Sequence, residues 1–105
     1  MYLENETTAP AIDATLACYR ACLGMAKSGL EDASGSLLEL LTECAVVSRE
    51  AAHQLIGGSA GVSPILLQCA EVSDRCAEEC EQIDGMEECG AVCRWCAISC
   101  RDLAS

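Results

Sequence analysis

From residue 89 to residue 100 the chain reads CGAVCRWCAISC, with Cys89, Cys93, Cys96 and Cys100 separated by four, three and four positions. A helix turns once in about 3.6 residues, so this spacing keeps all four sulfurs on one helical face. The preceding segment repeats the intervals with Cys69, Ser73, Cys76 and Cys80, where serine stands as the oxygen isostere of the second cysteine. Two weaker copies lie upstream, Cys18, Cys22, Met25 and Gly29 in one and Cys44, Ser48, Ala51 and Leu55 in the other. One template with progressive replacement accounts for all four, and it predicts four helices that turn equivalent faces to a common interior.

The punctuation of the chain fits that reading. Residues 1 to 7 are polar and lack a period, and are expected to form a disordered N-terminus. Thr8 and Pro10 suit the start of a first helix, because proline costs little in a first turn, and Ser28-Gly29 suits its end after Lys27. Ser36 and Glu39 have capping-box spacing ahead of Leu37, Leu38, Leu40 and Leu41, opening a second helix that reaches about Ile56. Three glycines within Gly57 to Gly61 break the chain, and Ser63-Pro64 restarts it. The third helix continues to about Ile83. Asp84 and Glu87 repeat the capping-box spacing before a fourth helix that runs to the C-terminus. No stretch alternates as strands do. The expected fold is all-α, an antiparallel up-down-up-down four-helix bundle with a cysteine-lined core, formed by a single domain over residues 8 to 105.

Composition narrows the function. The 105 residues leave room for one core. A net charge of -11, from 17 acidic and 6 basic side chains, repels phosphate backbones and anionic membrane surfaces, so neither nucleic acid nor membrane is an expected partner. No apolar run approaches the roughly 20 residues that a membrane span needs. Phenylalanine is absent and aromatics make up 3%, so the interior has to be filled by small side chains. Ten cysteines would ordinarily suggest a secreted disulfide scaffold, but the opening Met1-Tyr2-Leu3-Glu4-Asn5-Glu6 has no basic, apolar leader character. A cytoplasmic location is expected, where thiols stay reduced or bind metal.

Cysteine also serves as a small core hydrophobe, and for one or two residues that role would suffice. It does not explain ten placed on four aligned faces. Disulfides fit poorly as well, since partners three or four apart on one helix bridge badly and helix axes stand about 8 to 10 Å apart. Metal ligation remains. Counting depth from the end that holds the 28–35 and 84–85 turns, the first layer contains Met25, Cys80 and Cys89. The second contains Cys22, Cys44, Cys76 and Cys93, followed by Cys18 with Cys96 and then Cys69 with Cys100. His53 falls about one turn below these last two and is a candidate for closing the far end.

Copper(I) suits this set best. It is soft and monovalent, accepts low coordination numbers and lets thiolates bridge. About one copper per thiolate also neutralises a charge that would otherwise be prohibitive to bury. Zinc or an iron-sulfur cluster normally takes four thiolates, leaving six cysteines unexplained. Met25 and Met86 offer further soft sulfur at the mouth, where each would equally serve as a core filler. Glu31, Asp32, Glu81, Asp84, Glu87 and Glu88 gather at the same end, where they would concentrate cations or simply sit as solvated turn residues. Trp95 lies off the sulfur face, toward a neighbouring helix or a subunit contact.

These motifs resemble those of the cysteine-rich four-helix-bundle copper storage proteins of bacteria. The resemblance runs from Cys69 to Arg101, through CAEEC at Cys76 to Cys80, MEEC at Met86 to Cys89 and CRWCAISC at Cys93 to Cys100. CYRAC at Cys18 to Cys22 fits more weakly, and the second helix matches little beyond Cys44. The resemblance implies a bundle interior that holds many copper(I) ions and self-association, often as tetramers, with a dimer as the smaller option. A protein partner for copper transfer is a further expectation. Met25, Gly29, Ser48, Ala51 and Leu55 stand where a fully lined member has thiols, and Glu88 precedes Cys89 where a histidine is often found. Capacity is therefore expected to be reduced.

Three functions follow from these residues. The first is a copper(I) store or buffer with all ten cysteines as ligands. The second is a discrete site in which Cys22, Cys44, Cys76 and Cys93 hold zinc or a four-iron cluster for electron transfer or sensing. The third is an adaptor that kept the bundle after losing much of its metal lining. No Ser-His-Asp, Cys-His or paired-carboxylate arrangement stands out, so an enzyme is not expected.

Overall fold

The computed structural model describes residues 2–28, 35–58 and 61–104, with side chains from Thr8 onward. Four helices follow in order: α1 Tyr2–Lys27, α2 Gly35–Gly57, α3 Ser63–Glu81 and α4 Glu87–Ala104. The pairs α1–α2, α2–α3, α3–α4 and α1–α4 pack side by side, giving the closed ring of an antiparallel bundle about 47 Å long and 18 by 17 Å across. Among the described residues, no helix is long and apolar enough to cross a membrane.

Each helix buries one stripe. On α2 it is Leu37, Leu41, Cys44, Ser48, Ala51 and Leu55, which extends the template spacing by two leucines toward the N-terminus. On α3 it is Leu66, Cys69, Ser73, Cys76 and Cys80, flanked by Ala70 and Ala77. On α1, Ala11, Ala14, Thr15, Cys18 and Cys22 are buried, and on α4 the buried set includes Cys89, Cys93, Cys96, Ala97 and Cys100. With so few large side chains the helices approach closely. A Cβ on Gly90 would stand 3.4 Å from Glu81 Cγ and 3.5 Å from Cys80 Cβ, so α4 meets the C-terminal end of α3 with almost no gap. Arg94 reinforces the same seam, donating to both carboxylate oxygens of Glu81 at 3.0 and 2.9 Å and to Asp74 at 3.3 Å. Arg101, two turns further along α4, also pairs with Asp74.

Some boundaries differ from the sequence-based expectation. The backbone of residues 2–7 is helical, so α1 starts at Tyr2 rather than near Thr8 and Pro10 lies inside it. No glycine or second proline interrupts that segment, and Pro10 forfeits one backbone hydrogen bond without ending the helix. At the other loops, α3 stops at Glu81 instead of Ile83, and α4 begins at Glu87. Asp84 is thus outside the helix, and the Glu87 carboxylate accepts a hydrogen bond from the Gly85 N–H at 3.0 Å in place of the expected capping box. The Gly90 N–H donates to the Met86 carbonyl at 3.0 Å, which makes Met86 the residue that launches α4. Gly58 and Gly85 have φ of 67° and 92°, the left-handed backbone that closes the two turns. Gly29, Glu31 and Asp32 lie outside the described residues.

Candidate metal centre

All ten cysteines are buried and free. Their burial follows from the four-three-four spacing, since each sulfur stripe is also the apolar stripe of its helix. The sulfurs form a chain of close contacts. Near the end that holds the 82–86 turn, Cys22 lies 3.9 Å from Cys76 and 3.6 Å from Cys93. Cys93 in turn lies 3.7 Å from Cys18, and Cys18 lies 3.5 Å from Cys44. Deeper in the bundle Cys69 and Cys96 are 3.6 Å apart. These distances are well beyond an S–S bond of about 2.05 Å and bring sulfurs from different helices close enough to share an ion.

Two groups of sulfurs are mutually within 4.8 Å: Cys18, Cys22, Cys44 and Cys93 in one, Cys69, Cys96 and Cys100 in the other. The first corrects the expected layer. Cys18, 3.5 Å from Cys44, stands in the group where Cys76 was expected, and Cys76 borders the group 3.9 Å from Cys22. Cys80 and Cys89 lie above this group, where each affects the ionisation of the other.

Between the two groups stand oxygen atoms. Ser73 Oγ lies 3.8 Å from Cys18, 3.6 Å from Cys44, 3.9 Å from Cys69 and 3.5 Å from Cys96. Ser48 Oγ lies 3.5 Å from Cys69 and 4.0 Å from Cys96. Both serines were visible in the sequence as replaced template positions, but their roles as neighbours of several sulfurs were not, since only packing decides which faces meet.

The thiols of this net ionise unequally. Cys18 and Cys76 are pulled toward thiolate mainly by hydrogen bonds from Cys22, and so is Cys89. Cys69 is held at about 4, chiefly by Cys100 and Cys96, with Ser48 and Ser73 assisting. Their neighbours are pushed the other way. Cys22, Cys44 and Cys93 are raised first by their bonds to Cys18, Cys80 by Cys76, and Cys96 by Cys100, with burial adding to each. Cys100 is pushed up to about 12 by Cys69. A buried thiolate is thus tolerated only where neighbouring S–H groups donate to it, and complete deprotonation requires cations inside the bundle. A monovalent soft ion can replace each proton without changing the interior charge.

The remaining candidates fall outside or at the edge of this net. Met86 is buried and Met25 is half-buried against the core, both toward the end occupied by Cys80 and Cys89. His53 is exposed on α2, so the structure does not join it to the sulfur lining as the far-end ligand. The interior there is filled instead by Leu55, Leu66, Ala14 and Thr15, whose hydroxyl donates to the Ala11 carbonyl at 2.8 Å. Glu81, Asp84, Glu87 and Glu88 are exposed around the 82–86 turn. Trp95 is turned outward, with 44% of its surface accessible.

The model of the copper storage protein family matches residues 4–105. The chain belongs to that family. Solved structures agree along nearly the whole length. A protein from Nitrosospira multiformis is 37% identical over 95% of this chain and 96% of its own, with a TM-score of 0.89. The Cu(I)-bound copper storage protein BsCsp3 is 26% identical over 94% of this chain and 99% of its own, with a TM-score of 0.86. Apo copper storage protein 3 from Bacillus subtilis is 29% identical over 93% and 99%, also with a TM-score of 0.86. A comparison with curated protein sequences gives no significant match. The sequence resemblance to bacterial copper storage proteins is thereby shown, as is the four-helix fold expected from it.

Proposed function

We propose that this chain stores or buffers copper(I) inside its bundle, with Cys18, Cys22, Cys44, Cys69, Cys76, Cys80, Cys89, Cys93, Cys96 and Cys100 as the ligands. The observation that carries this reading is the burial of ten free thiols in the bundle interior, with sulfurs from different helices 3.5 to 3.9 Å apart. Thiolates at such separations bridge two-coordinate copper(I), and each ion compensates the charge of a ligand that burial alone would keep protonated. Met86 and Met25 supply thioether donors on the route between the acidic turn and Cys80 and Cys89. His53 has no part in this reading. Storage in the cytosol, without turnover of a substrate, is the setting that reduced thiols require. Self-association as a dimer or tetramer would cover Trp95 and Ile98 on the outer face of α4.

The discrete-site alternative has its best support in Cys18, Cys22, Cys44 and Cys93, four sulfurs that lie mutually within 4.8 Å. It leaves six buried thiols without a role, and is the weaker reading on that ground. Anaerobic titration of the reduced protein with copper(I) against a competing chelator distinguishes the two, with the metal content of freshly isolated protein measured alongside. Several coppers retained per chain support storage. Native zinc or about four irons per chain, with copper lost to the chelator, contradict it.

A further inference from the structure

We propose that the interior consists of two copper(I) compartments, divided at the level of Ser48 and Ser73, in place of a single continuous tube of thiolates. This rests on the storage reading above and concerns how the stored ions are partitioned. The two groups of mutually close sulfurs share no member. The one toward the 82–86 turn is extended by Cys76, 3.9 Å from Cys22, while the deeper one comprises Cys69, Cys96 and Cys100. Ser73 occupies the space between them, its hydroxyl touching Cys18 and Cys44 on one side and Cys69 and Cys96 on the other.

The chemistry of the hydroxyl makes this a division. A cysteine at Ser73 would lose its proton and bridge copper ions above and below it. A serine hydroxyl keeps its proton at neutral pH, is a hard neutral oxygen and competes poorly for copper(I). It can instead donate to a sulfur, as Ser73 does to Cys96 at 3.5 Å. A serine in mid-helix commonly bonds back to a carbonyl of its own helix, but all the contacts of this hydroxyl are to sulfur. Ser48 repeats the substitution on α2, against Cys69 and Cys96. At this depth two of the four helices therefore contribute oxygen. Ser73 lies against both Cys18 of the upper group and Cys96 of the deeper one. The upper compartment adjoins the acidic turn, and the lower one is closed off by leucine and alanine.

The test is stepwise anaerobic loading with copper(I) in the presence of a chelator, followed by thiolate-to-copper absorption and by luminescence of the copper-thiolate clusters. The wild-type chain should load in two resolved steps, the smaller belonging to the deeper compartment. Cys100→Ser should abolish the smaller step and leave the larger one in place. Ser73→Cys should fuse the two and raise the capacity, whereas Ser73→Ala, which adds no ligand, should keep them separate. Circular dichroism establishes that each variant is folded, and Cys100→Ser decides the matter should Ser73→Cys fail to fold. A single continuous step in the wild type, an equal loss from both steps in Cys100→Ser, or two unchanged steps in Ser73→Cys would each overturn the division. Copper lost entirely to the chelator by the wild type would overturn it together with the storage reading, an outcome plainly different from one continuous step.

Discussion

The α3–α4 half of the bundle and the α1–α2 half solve the problem of a small core in opposite ways. Cys69, Cys76, Cys80, Cys89, Cys93, Cys96 and Cys100 line α3 and α4, held together by close small-residue packing at Gly90 and by the Arg94 and Arg101 ion pairs on the surface. The α1–α2 half contributes Cys18, Cys22 and Cys44, and completes its stripes with Leu37, Leu41, Leu55 and alanine. One half is mainly a sulfur wall and the other mainly an apolar wall. The contrast teaches that ligand capacity and apo-protein stability are assigned to different helices, so substitutions in the two halves should fail in different ways.

The largest effect is expected from the sulfur network. Cys22 and Cys93 are neighbours of each other and of Cys18 and Cys76, so Cys22→Ser with Cys93→Ser removes bridging thiolates shared by several ions. Copper retained against a chelator should fall by more than the two ligands lost, while the helical content of the apo-protein stays close to that of the wild type. A loss confined to one ion would mean that the sites are independent. Next comes Leu41, fully buried on α2. Leu41→Ala should cost about 2 to 5 kcal/mol of apo-protein stability through lost burial and the cavity left behind. Thermal unfolding reads this as a drop of roughly 10 °C or more for a chain of this size. Copper loading should recover much of the loss, because ions bound only by the folded state stabilise it by mass action. The smallest effect belongs to the seam between α3 and α4. Arg94→Ala removes surface pairs with Glu81 and the partly buried Asp74, and should change stability by about 0 to 1 kcal/mol with copper capacity untouched. A large loss of capacity there would show that the surface network positions the ligands.

Much of this contrast was legible from spacing alone. Four-three-four intervals fixed the helical faces, and the glycine-rich and Asp84-Gly85 breaks located the turns within a few residues. Axial register was not legible. A displacement of one residue moves a side chain by about 1.5 Å along the helix, and spacing within one helix does not say which sulfurs of facing helices come level. The same limit placed His53 under the sulfur column, whereas α2 turns it to the surface. The helical start at Tyr2 was missed because residues before Pro10 carry no apolar period.

The claim that the sulfur lining is the store is tested most directly by a crystal structure of the copper-loaded protein, prepared anaerobically, with anomalous scattering measured at the copper edge. The account predicts several copper peaks within the bundle, each flanked by cysteine sulfurs, in two sets on either side of Ser73. Copper confined to surface carboxylates, or a single ion within the core with the remaining thiols unligated, would contradict it.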